Sequence, residues 1–150
     1  MHSSKIQITT GAALAGLGVV LGAFAAHGLD AFLIDAWSGV TKSVAGQEFS
    51  AAWKYLQDFK TGAEYQMYHA IGLIAVGLLG LHGTKRSLTV AAWCFVGGIV
   101  FFSGALYLLV LTKQTWLGAI APIGGTLFIV GWVAFAVGAC PCSDSKAGDE

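Results

Sequence analysis

The chain reads as an all-α protein, a polytopic four-helix transmembrane bundle with one short interfacial amphipathic helix. Composition and the placement of charge lead there. Of 150 residues, 56% are hydrophobic and only 11% are charged, against about 25% charged in an ordinary soluble domain. Mean hydropathy is +0.72. The charges are also segregated. Residues 6–29, 65–84, 87–112 and 114–143 contain no Asp, Glu, Lys or Arg, and each run is long enough to cross roughly 30 Å of hydrocarbon. So little charge cannot cover a water-facing surface, which excludes a soluble enzyme and a disordered chain. Eight basic residues balanced by eight acidic ones leave no electrostatic footprint for nucleic acid. The expectation is one membrane domain over 1–143 and a polar tail over 144–150.

Span one is expected over about 9–27. Lys5, an apolar run and Ala23-Phe24-Ala25 mimic a cleavable signal peptide, but the run is longer than a usual signal core, so a retained helix is the expectation. Gly11, Ala15, Gly18 and Gly22 recur at steps of four, three and four, a smooth face that lets another helix approach closely. His27-Gly28 closes the span. Residues 30–64 hold five acids and three lysines. Their first half, with Trp37-Ser38-Gly39, reads as loop. Over about 48–60, Phe49, Ala52, Trp53, Leu56 and Phe59 share one helical face that the charged residues avoid, which predicts an amphipathic helix in the membrane interface or over the span ends. Thr61-Gly62-Ala63-Glu64 matches a capping box and places the start of span two near 64, ending about 81.

The segment His82-Gly83-Thr84-Lys85-Arg86 reads as a tight turn to span three, over about 87–111. Residues 113–121 form a short connection, with Trp116 as an interface anchor. Span four is expected over about 122–139, because proline is tolerated in a first helical turn. Gly124, Gly131 and Gly138 repeat every seven residues on it as a second close-packing face. Cys140-Pro141-Cys142 reads as a helix stop, with a soft-metal or redox pair as the alternative. Four spans put Lys5, Lys85, Arg86 and Lys146 on one side, and Lys42, Lys54, Lys60 and Lys113 on the other. Short loops weigh most in this balance, and the Lys85-Arg86 pair favours both termini in the cytoplasm.

Threading the spans alternately gathers the polar intramembrane residues in one leaflet: His27, Gln66, Tyr68, His69, Ser103 and Tyr107. Lipid offers such groups no partners, so they must satisfy one another or a ligand. Each also has a plain structural role. His27 suits the negative end of a helix dipole, His69 could simply bond Tyr107 or Ser103, and Gln66 and Tyr68 could be interface residues. As a cluster they are a candidate site for a small molecule, a metal or a lipid headgroup, with His27 and His69 as metal ligands for a haem or a copper ion.

Four ordered motifs carry a family resemblance: residues 22–29 (GAFAAHGL), 65–70 (YQMYHA), 101–107 (FFSGALY), and Pro122-Ile123-Gly124-Gly125 followed by Gly131-Trp132. They resemble the small four-helix membrane proteins grouped as domain of unknown function 423, which include the eukaryotic transmembrane protein 256. The resemblance covers roughly 10–135 and implies a bacterial inner-membrane protein or a relative of an organellar one. It implies no activity. Ala25 and Ala105 stand where the family pattern has Gly and Ser, the loop from Asp35 to Gln47 is extended, and Cys-Pro-Cys lies outside the pattern.

Four functional readings follow. The leading one is a non-catalytic subunit or assembly scaffold, which implies a homo-oligomer or other membrane subunits as partners. The second is a binding protein built on the histidine and tyrosine cluster, its cofactor unknown. A transporter lacks Asp, Glu, Lys or Arg inside any span to couple ions. An enzyme ranks last: no G-x-S-x-G, H-E-x-x-H or phosphate loop occurs, and only Asp30 or Glu64 could orient a histidine.

Overall fold

The longest helix of the protein starts well before the point at which its sequence turns apolar, and that early start organises the bundle. The computed structural model describes residues 2–83 and 85–140. In chain order it has α1 (His2–His27), α2 (Leu29–Ala36), a hairpin of β1 (Thr41–Val44) and β2 (Gln47–Ser50), and α3 (Ala51–Gly80). Then come α4 (Arg86–Gly98), a π-helical segment (Ile99–Gly104), α5 (Ala105–Thr112), a 3-10 turn (Thr115–Ala119) and α6 (Ala121–Ala139). Among the described residues, three helical stretches are long and apolar enough to cross a membrane: Ser3–His27, Arg86–Thr112 and Thr115–Ala139. Helix α3 is long enough at 30 residues but carries Lys54, Asp58, Lys60 and Glu64.

The amphipathic segment and the expected second span are one helix. Its N-cap is Ser50, whose Oγ accepts the Trp53 amide at 3.2 Å, and the helix runs straight through the capping-box sequence at Thr61–Glu64. The reason is a single buried stripe: Ala51, Tyr55, Phe59, Gly62, Gln66, His69, Leu73 and Val76 recur at helical spacing and are all buried. Tertiary burial along that stripe outweighs a local start signal worth about 1 kcal/mol. The buried face is also rotated from the expected one. Trp53 is 47% exposed and Tyr55 only 3%.

The polar stretch before α3 is more ordered than a loop. Leu29 and Leu33 of α2 are buried against α1 and α3. The hairpin pairs Thr41 with Ser50 through Val44 with Gln47. Its two-residue turn has φ of 52° at Ala45 and 80° at Gly46, the primed geometry that matches strand twist. Alternation in so short and exposed a hairpin left no hydrophobic pattern to detect. The expected tail over 144–150 and residues Pro141 and Cys142 lie outside the described residues.

Helix α1 runs antiparallel to α3, and α6 antiparallel to α4, with glycine at the crossings. A methyl group added at Gly11 would stand 2.7 Å from Ile74 Cγ1, and one at Gly77 would stand 2.9 Å from the Ser4 carbonyl oxygen. One at Gly131 would meet the Phe95 ring at 2.7 Å, while Gly98, Gly124 and Gly138 are closed in the same way by Phe128, Phe102 and Leu88. A methyl group added at Gly18 would make ordinary contact with Gln66 and Met67 at 3.6 Å, and Ala15 is half-buried. Around Gly16 and Gly22, nothing among the described residues comes within 4 Å of an added methyl.

Two apolar cores are stacked along the bundle. One joins Ala25, Leu29, Leu33, Tyr55, Phe59 and Val110. The other joins Leu73, Val76, Ala91, Phe95, Ile99 and Phe128. Residues between the two α3 portions of these cores supply the polar layer.

These contacts separate the glycines into two classes. Gly98→Ala and Gly131→Ala should lower the thermal unfolding midpoint, with an overpacking cost of about 1–3 kcal/mol each. Gly16→Ala and Gly22→Ala should hold or raise it, because alanine favours a helix over glycine by about 1 kcal/mol. Melting followed by circular dichroism in detergent checks this; equal behaviour of the two pairs would contradict the account of the crossings.

Candidate functional site

The polar layer begins with Gln66, which is 2% exposed and cross-links three helices. Its Nε2 donates to the Leu14 carbonyl of α1 at 2.8 Å, and its Oε1 accepts from the Tyr107 hydroxyl of α5 at 3.0 Å. Tyr107 also packs its ring on Phe59 at 4.7 Å between centroids and closes over Gly62. Both side chains are thus occupied in holding the bundle. Ser103 is fully buried in the π segment, and its hydroxyl has no hydrogen-bond partner among the described residues.

His69 is 4% exposed and sits one turn further along α3. Its Nδ1 lies 2.7 Å from the Tyr65 carbonyl oxygen. A carbonyl can only accept, so Nδ1 carries the proton and a neutral ring keeps its lone pair on Nε2. The ring stacks on Phe128 of α6, with centroids 3.4 Å apart and planes 9° from parallel, and Phe95 and Trp132 stand within 6.0 Å. Nε2 has no partner among the described residues, and it is the nitrogen left to the groove that His69 lines.

That groove has a volume of about 700 Å³ and runs between α3 and α6 beside the π segment, walled by Tyr65, Tyr68, His69, Phe102, Phe128 and Trp132, with Pro122, Gly125, Thr126 and Ile129. Tyr65 packs on Phe102 at 4.8 Å. Helix α6 approaches closely here because Gly124 meets the backbone of Phe102. Tyr68 is half exposed and its hydroxyl donates to Glu64. The Thr126 hydroxyl donates to the Pro122 carbonyl at 3.0 Å.

Of the six residues expected to converge, the structure brings Gln66 and Tyr107 into one hydrogen-bonded pair and Tyr68 and His69 into the groove wall. It does not bring His27 to them. The ring of Phe24, one turn before His27, packs on Phe59 at 6.0 Å, so His27 lies exposed near the level of Tyr55. At 1.5 Å per residue along α3, it is about 20 Å from His69. The expectation that the two histidines share one level is therefore corrected: α3 starts at Ala51, and its first half lies alongside the end of α1. The pair cannot ligate one ion, and among the described residues no group of three His, Cys, Asp or Glu is placed to hold a metal. Sequence reasoning missed Phe128 and Thr126, which no motif marked. Tyr65, Phe102 and Trp132 stood inside the family motifs, and that was the available signal.

Tyr107→Phe should cost about 1 kcal/mol, because it leaves Gln66 Oε1 buried without a donor. In a Gln66→Leu background the same change should cost nearly nothing. A double-mutant cycle on thermal midpoints measures that coupling, and additive effects would mean that the bond contributes nothing.

Comparison with known proteins places the chain. A family described as protein of unknown function (DUF423) matches residues 21–125. The UPF0382 membrane protein YwdK of Bacillus subtilis is 43% identical over 137 residues, covering 90% of this chain and 96% of its own. A UPF0382 membrane protein of Staphylococcus epidermidis, SERP0230, is 41% identical, covering 89% and 93%, and one from Haemophilus influenzae is 39% identical, covering 80% and 82%. No solved structure matches. With helices able to span a membrane and relatives of this similarity along nearly its whole length, the chain belongs to the DUF423 family of membrane proteins, whose function is uncharacterised.

Proposed function

We propose that the protein is a four-span membrane protein that binds an apolar ligand in the groove around His69. The fourth span in this reading is the second half of α3. The hairpin, α2 and the start of α3 then lie at one membrane face, where Trp53 and Trp116 are exposed as interfacial anchors. The opposite face carries Lys5, Lys85 and Arg86, which favours that side, with both termini, in the cytoplasm of a bacterial inner membrane.

One observation carries the binding reading: a buried histidine whose Nε2 has no partner among the described residues, set in the wall of a groove. Counted from Glu64, the last charged residue before the apolar run, His69 is about 7 Å along the helix, inside the hydrocarbon edge. Water is scarce at that depth, and an unmatched polar atom there costs free energy that a ligand can recover. Tyr68, Ile129 and Trp132 are exposed along the groove, so it opens sideways toward lipid.

A second reading, a non-catalytic subunit or scaffold in a homo-oligomer or a larger assembly, is favoured by a different observation. The surface of α1 around Gly16 is exposed and bare and smooth enough for another helix.

Native mass spectrometry of the chain released gently from its own membranes tests both. The binding reading expects a discrete added mass that disappears in a His69→Leu variant with unchanged helicity. Other polypeptides in place of that mass would favour the subunit reading. A bare chain would overturn the binding reading.

A further inference from the structure

Most polar side chains of the groove, His69 at their centre, present acceptors. Nδ1 of His69 is held by the Tyr65 carbonyl, so Nε2 can only accept. The Thr126 hydroxyl spends its proton on the Pro122 carbonyl, which leaves lone pairs on its oxygen. The Tyr68 hydroxyl spends its proton on Glu64, with the same result. Three of the wall's polar groups therefore present acceptors, the Tyr65 hydroxyl can turn either way, and the Trp132 indole N–H can only donate. The rest of the wall is apolar, with the rings of Phe102, Phe128 and Trp132 beside Pro122, Gly125 and Ile129. Phe102 and Phe128 lie 5.7 Å apart between centroids, and Trp132 stands at the far end beside Phe95 at 5.0 Å.

Resting on the reading that this groove binds a ligand, we propose that its occupant is a planar ring bearing hydroxyl donors and an apolar tail, a lipophilic hydroquinone or phenol, held by donation to His69 Nε2. The exposed rings of Tyr65 and Trp132 receive the ring face by offset stacking. The tail leaves through the side open to lipid. At His69 a ring bearing only carbonyls would set an oxygen lone pair against that of Nε2, so the oxidised quinone of the same shape is disfavoured there. A cation would also meet the Nε2 lone pair, but among the described residues no further ligands are placed to complete its coordination. The inference concerns occupancy alone, and no electron or proton transfer is part of it.

Full-length protein in nanodiscs, titrated anaerobically by calorimetry, tests the assignment with three probes of one shape: a decyl-substituted benzohydroquinone, its dimethyl ether and the matching benzoquinone. The hydroquinone should bind on the order of tenfold tighter than the ether or the quinone, as one desolvated hydrogen bond predicts. In His69→Phe, with the fold checked by circular dichroism, that ratio should fall to about one. The ether comparison needs no variant, so it stands even where His69→Phe fails to fold. Equal binding of all three probes to the wild-type chain would overturn the donor assignment while leaving the groove a binding site. Binding of none would overturn the groove reading itself.

Discussion

Where α6 crosses α4, Gly98 and Gly131 lack side chains, and Phe128 and Phe95 occupy the space so released. The same exchange occurs where α1 crosses α3, with Gly11 under Ile74 and Gly77 under Ile8. In hydrocarbon the helices gain nothing from excluding water, because lipid tails are as apolar as leucine. Association then depends on how closely backbones approach and how well side chains interlock. The glycines fix both quantities at once. Because Phe128 is seated over Gly98, its ring is presented to His69, and because Phe102 is set against Gly124, its ring is presented to Tyr65. The groove wall follows from the crossings.

The polar layer depends on the same approach. Gln66 can reach the Leu14 carbonyl because α1 lies close against α3 at Gly18, where even an added methyl would touch the Gln66 amide. Stacked between two apolar cores, this layer ties α1, α3 and α5 together through hydrogen bonds, in a medium that supplies no other partners. His69 differs from Gln66 in this respect. Gln66 has partners at both ends of its amide, whereas His69 has one nitrogen bonded and one facing the groove, and that asymmetry separates a structural residue from a candidate ligand residue.

Much of the fold was legible because charge segregation is a long-range signal that tertiary packing cannot disguise. Helices cover the charge-free runs, α1 beginning at His2 and α3 at Ala51, both earlier than expected, and Gly124, Gly131 and Gly138 stand at crossings. The illegible part lies where a local signal and a tertiary one conflict. Thr61–Glu64 has the letters of a helix start, yet the buried stripe from Ala51 to Val76 passes through it. That single continuation moved the start of α3 by several turns, took His27 away from His69 and turned Tyr55 rather than Trp53 into the core. Half of the candidate site was legible for a related reason. Polar residues in an apolar run are conspicuous, so His69, Gln66 and Tyr68 stood out, but Phe128 is one apolar residue among many, and only the geometry at Gly98 distinguishes it.

The π segment at Ile99–Gly104 bears on how this bundle can vary. A π turn holds one more residue than the α turn it replaces, so the helix after it is rotated by about 100° relative to an uninterrupted continuation. Phe95, before the segment, reaches Gly72 and Gly131, and Tyr107, after it, reaches Gly62 and Gln66. An unbroken α-helix could not keep both phases. The length of this helical stretch is therefore set by angular phase as well as by bilayer thickness, and the loss of a single residue here would turn every later side chain away from its neighbour while the helix still crossed the membrane.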